Sequence, residues 1–285
     1  MKKLKMFVLV SLAVMVLAAC NKSAEPQTGS KNNSELSLEE VYQKALDRQN
    51  ELKSVTAIVK MDQVTSYGSG EEAIEIKSKS DMTMDMMTEP LSIYMEGTMG
   101  MGEPEAEEEA MIDMKMYMTK EGTYMQDSLQ NQWTKLPSED FEAIIGQTAS
   151  QVNTAEQLGK MKEFISDFKF EQTDSAFVLT LDTSSEKFNE YLLEQLNLNE
   201  MLGVTEEAQQ ILQDTKFEKV DYEIMIDKET FDINEMVTNV SFNMSIEGNT
   251  INTVSNTAIT FNNFNGVDEI SIPQEVIDTA IEIEY

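Results

Sequence analysis

The chain has 285 residues, 52 of them acidic and 21 basic, so its formal net charge is −31. This charge excludes nucleic acid as a partner, because phosphates are bound by clustered Lys and Arg side chains. The absence of histidine and the presence of a single cysteine remove the usual general base, the serine and cysteine triads and most zinc sites. We therefore expect no enzymatic activity and no cofactor.

The first twenty residues combine a basic start with a short apolar run. Three lysines precede twelve apolar-rich residues, Met6–Leu17, too few to span a membrane as a helix but enough for the core of a signal peptide. Small residues then lead to Cys20 in the sequence LAAC, which resembles a bacterial lipobox. We expect residues 1–19 to be a lipoprotein signal peptide. Cys20 would then be acylated and would anchor the protein to the bilayer at the outer face of a Gram-positive cytoplasmic membrane.

The residues after the cysteine predict a linker followed by a folded domain. Ser, Asn, Lys, Gln and Gly dominate residues 21–35, so residues 20–36 are expected to be a lipid-anchored flexible tether. Ser37 and Glu40 fit a capping box, which predicts a helix at the start of the domain. Since no later segment has a linker composition, residues 37–285 are expected to form one domain.

Apolar residues in this domain recur with two different periods, one typical of strands and one typical of helices. From Val55 the period is two, which predicts four long strands joined by turns before residue 125. The middle third returns to helical spacing, with short strands near Phe168 and Phe177. Long alternating strands resume from Val220 to Phe261. Strands and helices do not alternate one by one, so the pattern favours an antiparallel α+β sheet over a parallel one.

Methionine is unusually frequent, with 21 in the chain and twelve between Met82 and Met125. Nine of them fall at alternating positions on three successive predicted strands, so neighbouring strands would gather their thioethers on one face of a sheet. These nine are Met82, Met84, Met86, Met95, Met99, Met101, Met114, Met116 and Met118.

Three interpretations of this methionine patch remain open. Methionine fills irregular gaps in a core, and its flexible thioether also suits adaptable pockets for apolar ligands. Thioethers additionally select Cu(I), although copper sites usually recruit His or Cys as well. Elsewhere, the glutamate-rich loop Glu103–Glu109 is interpreted as solvated, and Trp133 as a packing anchor for the sheet edge rather than a ligand platform.

The complete layout resembles extracytoplasmic lipoproteins of the LolA and LppX/LprG type, in an uncharacterised Gram-positive branch. The resemblance rests on the lipobox at Cys20, the helix before the first strand, the sheet–helices–sheet order, the strand and turn Tyr222–Phe231, and the closing Ile270–Pro273. It implies a curved antiparallel sheet, a half-open β-barrel, with helices covering its concave face. It also implies a cavity for lipid or another apolar cargo, although no ligand-binding residue transfers by position.

Two functions follow as expectations. The first is a membrane-anchored carrier or sensor that binds a lipid or acyl chain in a methionine-lined cavity. The alternative is a structural or interaction lipoprotein whose methionine face is solid core and whose acidic exterior carries the function. Cu(I) binding through methionine is a minor alternative.

Overall fold

The computed structural model describes residues 23–68, 73–102, 110–137, 153–182, 186–195, 205, 210–212, 214–246 and 248–282. Thirteen strands in this part of the chain form one sheet, in the order β1-β8-β9-β10-β11-β12-β2-β3-β4-β5-β6-β7-β13. The sheet is curved and does not close on itself, which confirms the predicted α+β half-open barrel. The predicted signal peptide, Cys20 and the glutamate-rich loop Glu103–Glu109 lie outside the described residues.

The strands differ widely in length, and the long ones form the body of the sheet. They are β1 (Glu25–Pro26), β2 (Ser54–Tyr67), β3 (Ile74–Thr88), β4 (Leu91–Gly102), β5 (Ala110–Thr119), β6 (Gly122–Asp127), β7 (Trp133–Leu136), β8 (Lys169–Gln172), β9 (Ala176–Asp182), β10 (Lys216–Asp227), β11 (Ile233–Ile246), β12 (Asn249–Asn262) and β13 (Ile281–Glu282). Only the pairs β1–β8 and β7–β13 are parallel among the described strands.

Two antiparallel meanders meet at the centre of the sheet. Strands β2 to β7 pair in chain order, as do β10 to β12. The last long strand then pairs with the first, with Phe261 opposite Ala57 and Thr257 opposite Met61. This pairing joins segments about two hundred residues apart in the chain and makes the two meanders one continuous sheet.

Helices cover that concave face. They are α1 (Leu38–Asn50), α2 (Thr154–Met161) with the 3-10 turn Lys162–Asp167, and α3 (Glu186–Gln195), while the short α4 (Gln274–Thr279) lies near the C-terminus. Helix α1 begins with the predicted capping box: Ser37 Oγ accepts from Glu40 N at 3.2 Å, and the Glu40 carboxylate accepts from Ser37 N at 2.9 Å. Both bonds satisfy amides that the first helical turn leaves free.

The main core lies between these helices and the concave face. Val41, Tyr42 and Ala45 of α1 are fully buried there, and the Tyr42 hydroxyl donates to the Leu158 carbonyl at 2.5 Å, which joins α1 to α2. Aromatic rings fill the half of the core beneath β8 to β10. Phe164 packs edge-on against Phe188 at 5.0 Å, for example. This half of the concave face is therefore occupied by the protein itself.

A segment that we call the C-terminal strap, residues 263–282, crosses the opposite, convex face. Ile272 and Val276 pack on Tyr124 of β6 in a small second core. The Gln132 side chain donates to the Thr279 carbonyl at 2.6 Å, and β13 pairs with β7. The strap is thus fixed to the sheet at its far end and crosses the convex face above β4, β5 and β6.

Residues 23–36, the N-terminal segment, differ from the flexible tether expected from their composition. They lie along the edge of the sheet, where β1 pairs with β8. The Gln172 side chain donates to the Ala24 carbonyl at 2.7 Å and to the Ser34 carbonyl at 3.2 Å, and it accepts from Ser34 N at 2.8 Å. One buried amide therefore fastens both ends of the segment.

A second contact fixes the middle of the N-terminal segment. The Asp174 carboxylate accepts from the backbone amides of Lys31 at 2.5 Å and Asn32 at 3.1 Å. These hydrogen bonds hold the pKa of Asp174 below its usual value. Backbone groups of this segment are thus bonded by side chains far away in the chain, partners that composition does not reveal.

Candidate functional site

The nine predicted methionines lie in register on one face of β3, β4 and β5. Residues directly opposite one another in antiparallel strands point to the same side of the sheet. One row contains Ala57, Met84, Met95 and Met116, the next Val55, Met86, Ile93 and Met118, and a third Val59, Met82, Gly97 and Met114. Met99 lies in a fourth row, between Ser80 of β3 and Ile112 of β5, and Ser80 in turn lies opposite Met61 of β2. Met101 is placed on this face by its pairing with Ser78 and Ala110. We call these nine the methionine face.

One end of the methionine face is part of the core. Met82, Met84, Met86 and Met118 are 7% exposed or less, and Met84, Met86 and Met118 belong to the main cluster that contains α1. Flexible thioethers at these positions fill the space between helix and sheet. The core-filling interpretation therefore describes these four methionines.

The other end of the face is progressively more open. Met95 and Met116 are half-buried against the core, Met114 is half-buried, and Met99 is 38% exposed. We call the region around Met99, Met114 and the half-buried Met61 the open end. It lies at the ends of the strands opposite the β3–β4 turn at Glu89–Pro90.

Cavities lined by the described residues include four of about 270 to 480 Å³. Three adjoin one another under the C-terminal strap, and one, of about 480 Å³, lies beside the N-terminal segment between Leu38, Phe168 and Phe170. The nine methionines line none of these four. Among the described residues, the surface that they offer to an apolar ligand is the open end.

An aromatic row on the convex face was not foreseen as a site. Asp85, Tyr94, Tyr117 and Tyr124 lie directly opposite one another on β3 to β6. The Tyr94 hydroxyl donates to the Glu96 carboxylate at 2.6 Å. Burial and this acidic partner raise the pKa of Tyr94, and burial with the Glu96 charge raises that of Tyr117. Both rings therefore stay neutral hydrogen-bond donors far into the alkaline range.

Trp133 lies next to this row. Its ring centroid is 5.7 Å from that of Tyr117, and it packs with the small core under the strap. It also lines one of the three adjoining cavities. The signal that could have revealed the row was the presence of tyrosines at the polar positions of β4 and β5, where a fully solvated face would carry charged or small polar side chains.

Metal and membrane features are limited in the part of the chain that the structure describes. There, no group of three or more Asp, Glu or Cys side chains is arranged to hold a metal ion. Nor does any described helix combine the length and apolar character needed to cross a bilayer.

Comparisons with known proteins give a family and several distant structures, two of which are described first. The chain is 10% identical to a DUF1329 family protein from Desulfovibrio piger, with a TM-score of 0.20 over 79% of this chain and 91% of that one. It is 7% identical to a β-barrel-like DUF1849 protein from Brucella abortus, with a TM-score of 0.17 over 73% and 98%. Both TM-scores are too low to bear on function.

No curated protein matches the chain, and no direct match to the LolA or LppX families is found. The family model that matches is described as a family of unknown function, and the match spans residues 37–281. Its start coincides with Ser37, the N-cap of α1. By this match over most of its length, the protein belongs to the family of unknown function DUF6612.

Proposed function

We propose that this protein is a membrane-anchored extracytoplasmic lipoprotein that binds an apolar ligand, a lipid or an acyl chain, at the open end of its methionine face. The observation that carries the proposal is the gradient of burial along that face, from Met118 at 1% exposed to Met99 at 38%. A face that served only as core would be covered along its whole length.

The chemistry of the open end suits such a ligand. Thioether side chains are apolar, polarizable and unbranched, so they adapt their shape to acyl chains of different length and unsaturation. Covering exposed apolar surface gains about 25 cal/mol per Å². The half-buried Met95 and Met116 continue this apolar surface from the open end toward the core.

The N-terminal segment supports a fixed orientation toward the membrane. Only residues 21 and 22 separate Cys20 from Ser23, a reach of about 10 Å. β1 runs parallel to β8, which heads toward the turn at Thr173–Ser175. Ser23 therefore lies toward the opposite end of the strands, the end at which Met99 lies. An acyl anchor on Cys20 would hold the open end close to the bilayer from which a lipid is drawn.

A purely structural or interaction lipoprotein is the second candidate. The burial of Met82, Met84, Met86 and Met118 favours it, because these side chains leave no space for a ligand at their end of the face. In this candidate the acidic exterior would meet a protein partner. The two candidates differ in whether the purified protein carries an apolar molecule.

Native mass spectrometry of the protein from its own host's membranes separates them. We expect a population carrying the mass of a lipid or fatty acid in addition to the covalent acyl chains, and we expect denaturation to release it. As the matched control, the same preparation is stripped of non-covalent lipid by exchange into lipid-free detergent and is then incubated with host lipid. Protein that stays free of non-covalent lipid before and after reloading would eliminate the binding proposal and leave the structural one.

A further inference from the structure

Three of the cavities form one elongated groove between the C-terminal strap and the convex face of the sheet. The central cavity, of about 350 Å³, shares Tyr94 and Tyr117 with a neighbour of about 480 Å³. On its other side it shares Glu269, Ile270 and Ser271 with a cavity of about 270 Å³. We call this continuous depression the convex groove. It lies on the opposite side of the sheet from the methionine face.

Aromatic rings form the floor of the convex groove. The ring centroids of Tyr94 and Tyr117 are 4.6 Å apart, and those of Tyr117 and Trp133 are 5.7 Å apart. All three side chains are half-buried, so their remaining surface faces the groove. Such ring faces carry partial negative charge and attract organic cations.

Carboxylates form the walls. The three cavities are lined by the acidic side chains of Asp85, Glu121, Asp268, Glu269 and Glu275 and by only two lysines, Lys115 and Lys120.

Few positively charged side chains line the convex groove. Lys115 is paired with Glu96 at 4.0 Å. Among the described residues, no lysine or arginine forms an ion pair with Asp268 or Glu269. Their charges are therefore available to a ligand, and this acidic lining adds to the field of a protein with a net charge of −31.

We propose that the convex groove binds a linear organic polycation, such as a polyamine. Its ammonium groups would pair with the carboxylates of Asp268, Glu269 and Glu275 on the strap. Its methylenes would lie over the tyrosine and tryptophan rings. Because the groove is both aromatic and acidic, it favours a cation over an anionic lipid, which the same carboxylates would repel. The site is independent of apolar binding at the methionine face.

Trp133 is the only tryptophan in the chain, so its fluorescence reports on the groove directly. Spermidine titrated into the full-length protein in a nonionic detergent, at low ionic strength, is expected to change Trp133 emission saturably. The apparent Kd should rise with added salt, because charge pairing drives the binding. Asp268→Asn combined with Glu269→Gln should weaken binding about tenfold, the equivalent of losing one or two partly solvated ion pairs.

Two controls separate a site from a general attraction between a polycation and an acidic protein. Glu51→Gln combined with Glu229→Gln removes the same charge from exposed positions outside the groove, and it should leave the Kd within about twofold. Tyr117→Leu keeps the charge but removes a ring face, and it should weaken binding about threefold or more.

The inference is overturned by any of three results. The first is no saturable response to spermidine by fluorescence or calorimetry at low salt. The second is equal weakening by the groove pair and by the control pair of substitutions. The third is a response to neutral oligosaccharides that exceeds the response to spermidine, which would identify a sugar platform in place of a cation site.

Discussion

Cys20→Ala is expected to abolish acylation of the protein and to release it from tight membrane attachment. The thiol of Cys20 is the only one in the chain, so no other cysteine can take the acyl group. Two acyl chains anchor a protein stably, with about 0.8 kcal/mol for each buried methylene, whereas its acidic body is repelled by anionic lipid. In cells fed an alkyne-labelled fatty acid, the wild-type protein should carry the label and the variant none.

The same cells provide the control. Concentrated salt should leave the wild-type protein in the membrane fraction, because the attachment is hydrophobic rather than ionic. An Asn21→Ala variant, altered at the neighbouring position, should keep the label. Label on the Cys20→Ala protein, or a wild-type protein that salt washes off the membrane, would contradict the anchor.

Met118→Ala is expected to destabilise the fold by about 2–5 kcal/mol, since it empties a fully packed core position and the surroundings close the void only in part. Met118 is 1% exposed and lies opposite Ile93, which in turn lies opposite Met86, in the main core. Such a loss is a large fraction of the free energy of unfolding of a typical domain. Urea unfolding followed by circular dichroism measures it.

The matched control for Met118→Ala lies seven residues earlier on the same strand. Met111 is 46% exposed on β5, so Met111→Ala should change the free energy of unfolding by no more than about 0.5 kcal/mol. Equal losses for the two variants would mean that Met118 does not occupy the core position described here.

Local sequence patterns were sufficient to predict the long strands and to place the nine methionines on one face of the sheet. Strict alternation at Met82, Met84 and Met86 and at Met114, Met116 and Met118 specifies which side of a strand each residue occupies. Short connections between successive strands then made them neighbours. The common face of the nine methionines on β3, β4 and β5 follows from these two facts.

The sequence could not predict how deeply each methionine is buried. Met84 and Met99 have the same period and the same residue type, but one is 5% and the other 38% exposed. The difference depends on where α1 and its neighbours cross the sheet, which is a tertiary property. The pairing of β12 with β2 could not be predicted either, because it joins segments far apart in the chain and no local sequence pattern specifies it.

Long-range side-chain bonds explain the remaining differences. Gln172 and Asp174 convert residues 23–36 from an expected tether into a docked segment. The convex groove depends on the path of the C-terminal strap, whose contacts with Tyr124 and Gln132 involve residues more than a hundred positions earlier. Of its aromatic floor, sequence analysis singled out only Trp133.

Binding of a dansyl-labelled undecanoic acid to the chain without residues 1–20, which retains every described element, tests apolar binding at the open end most directly. Met99→Gln should weaken binding about tenfold, because it makes the exposed methionine polar. Met111→Gln, an equally exposed change on the opposite side of β5, should leave the Kd unchanged. Identical affinities for wild type and both variants, or no binding of the probe by any of them, would contradict an apolar site at the open end.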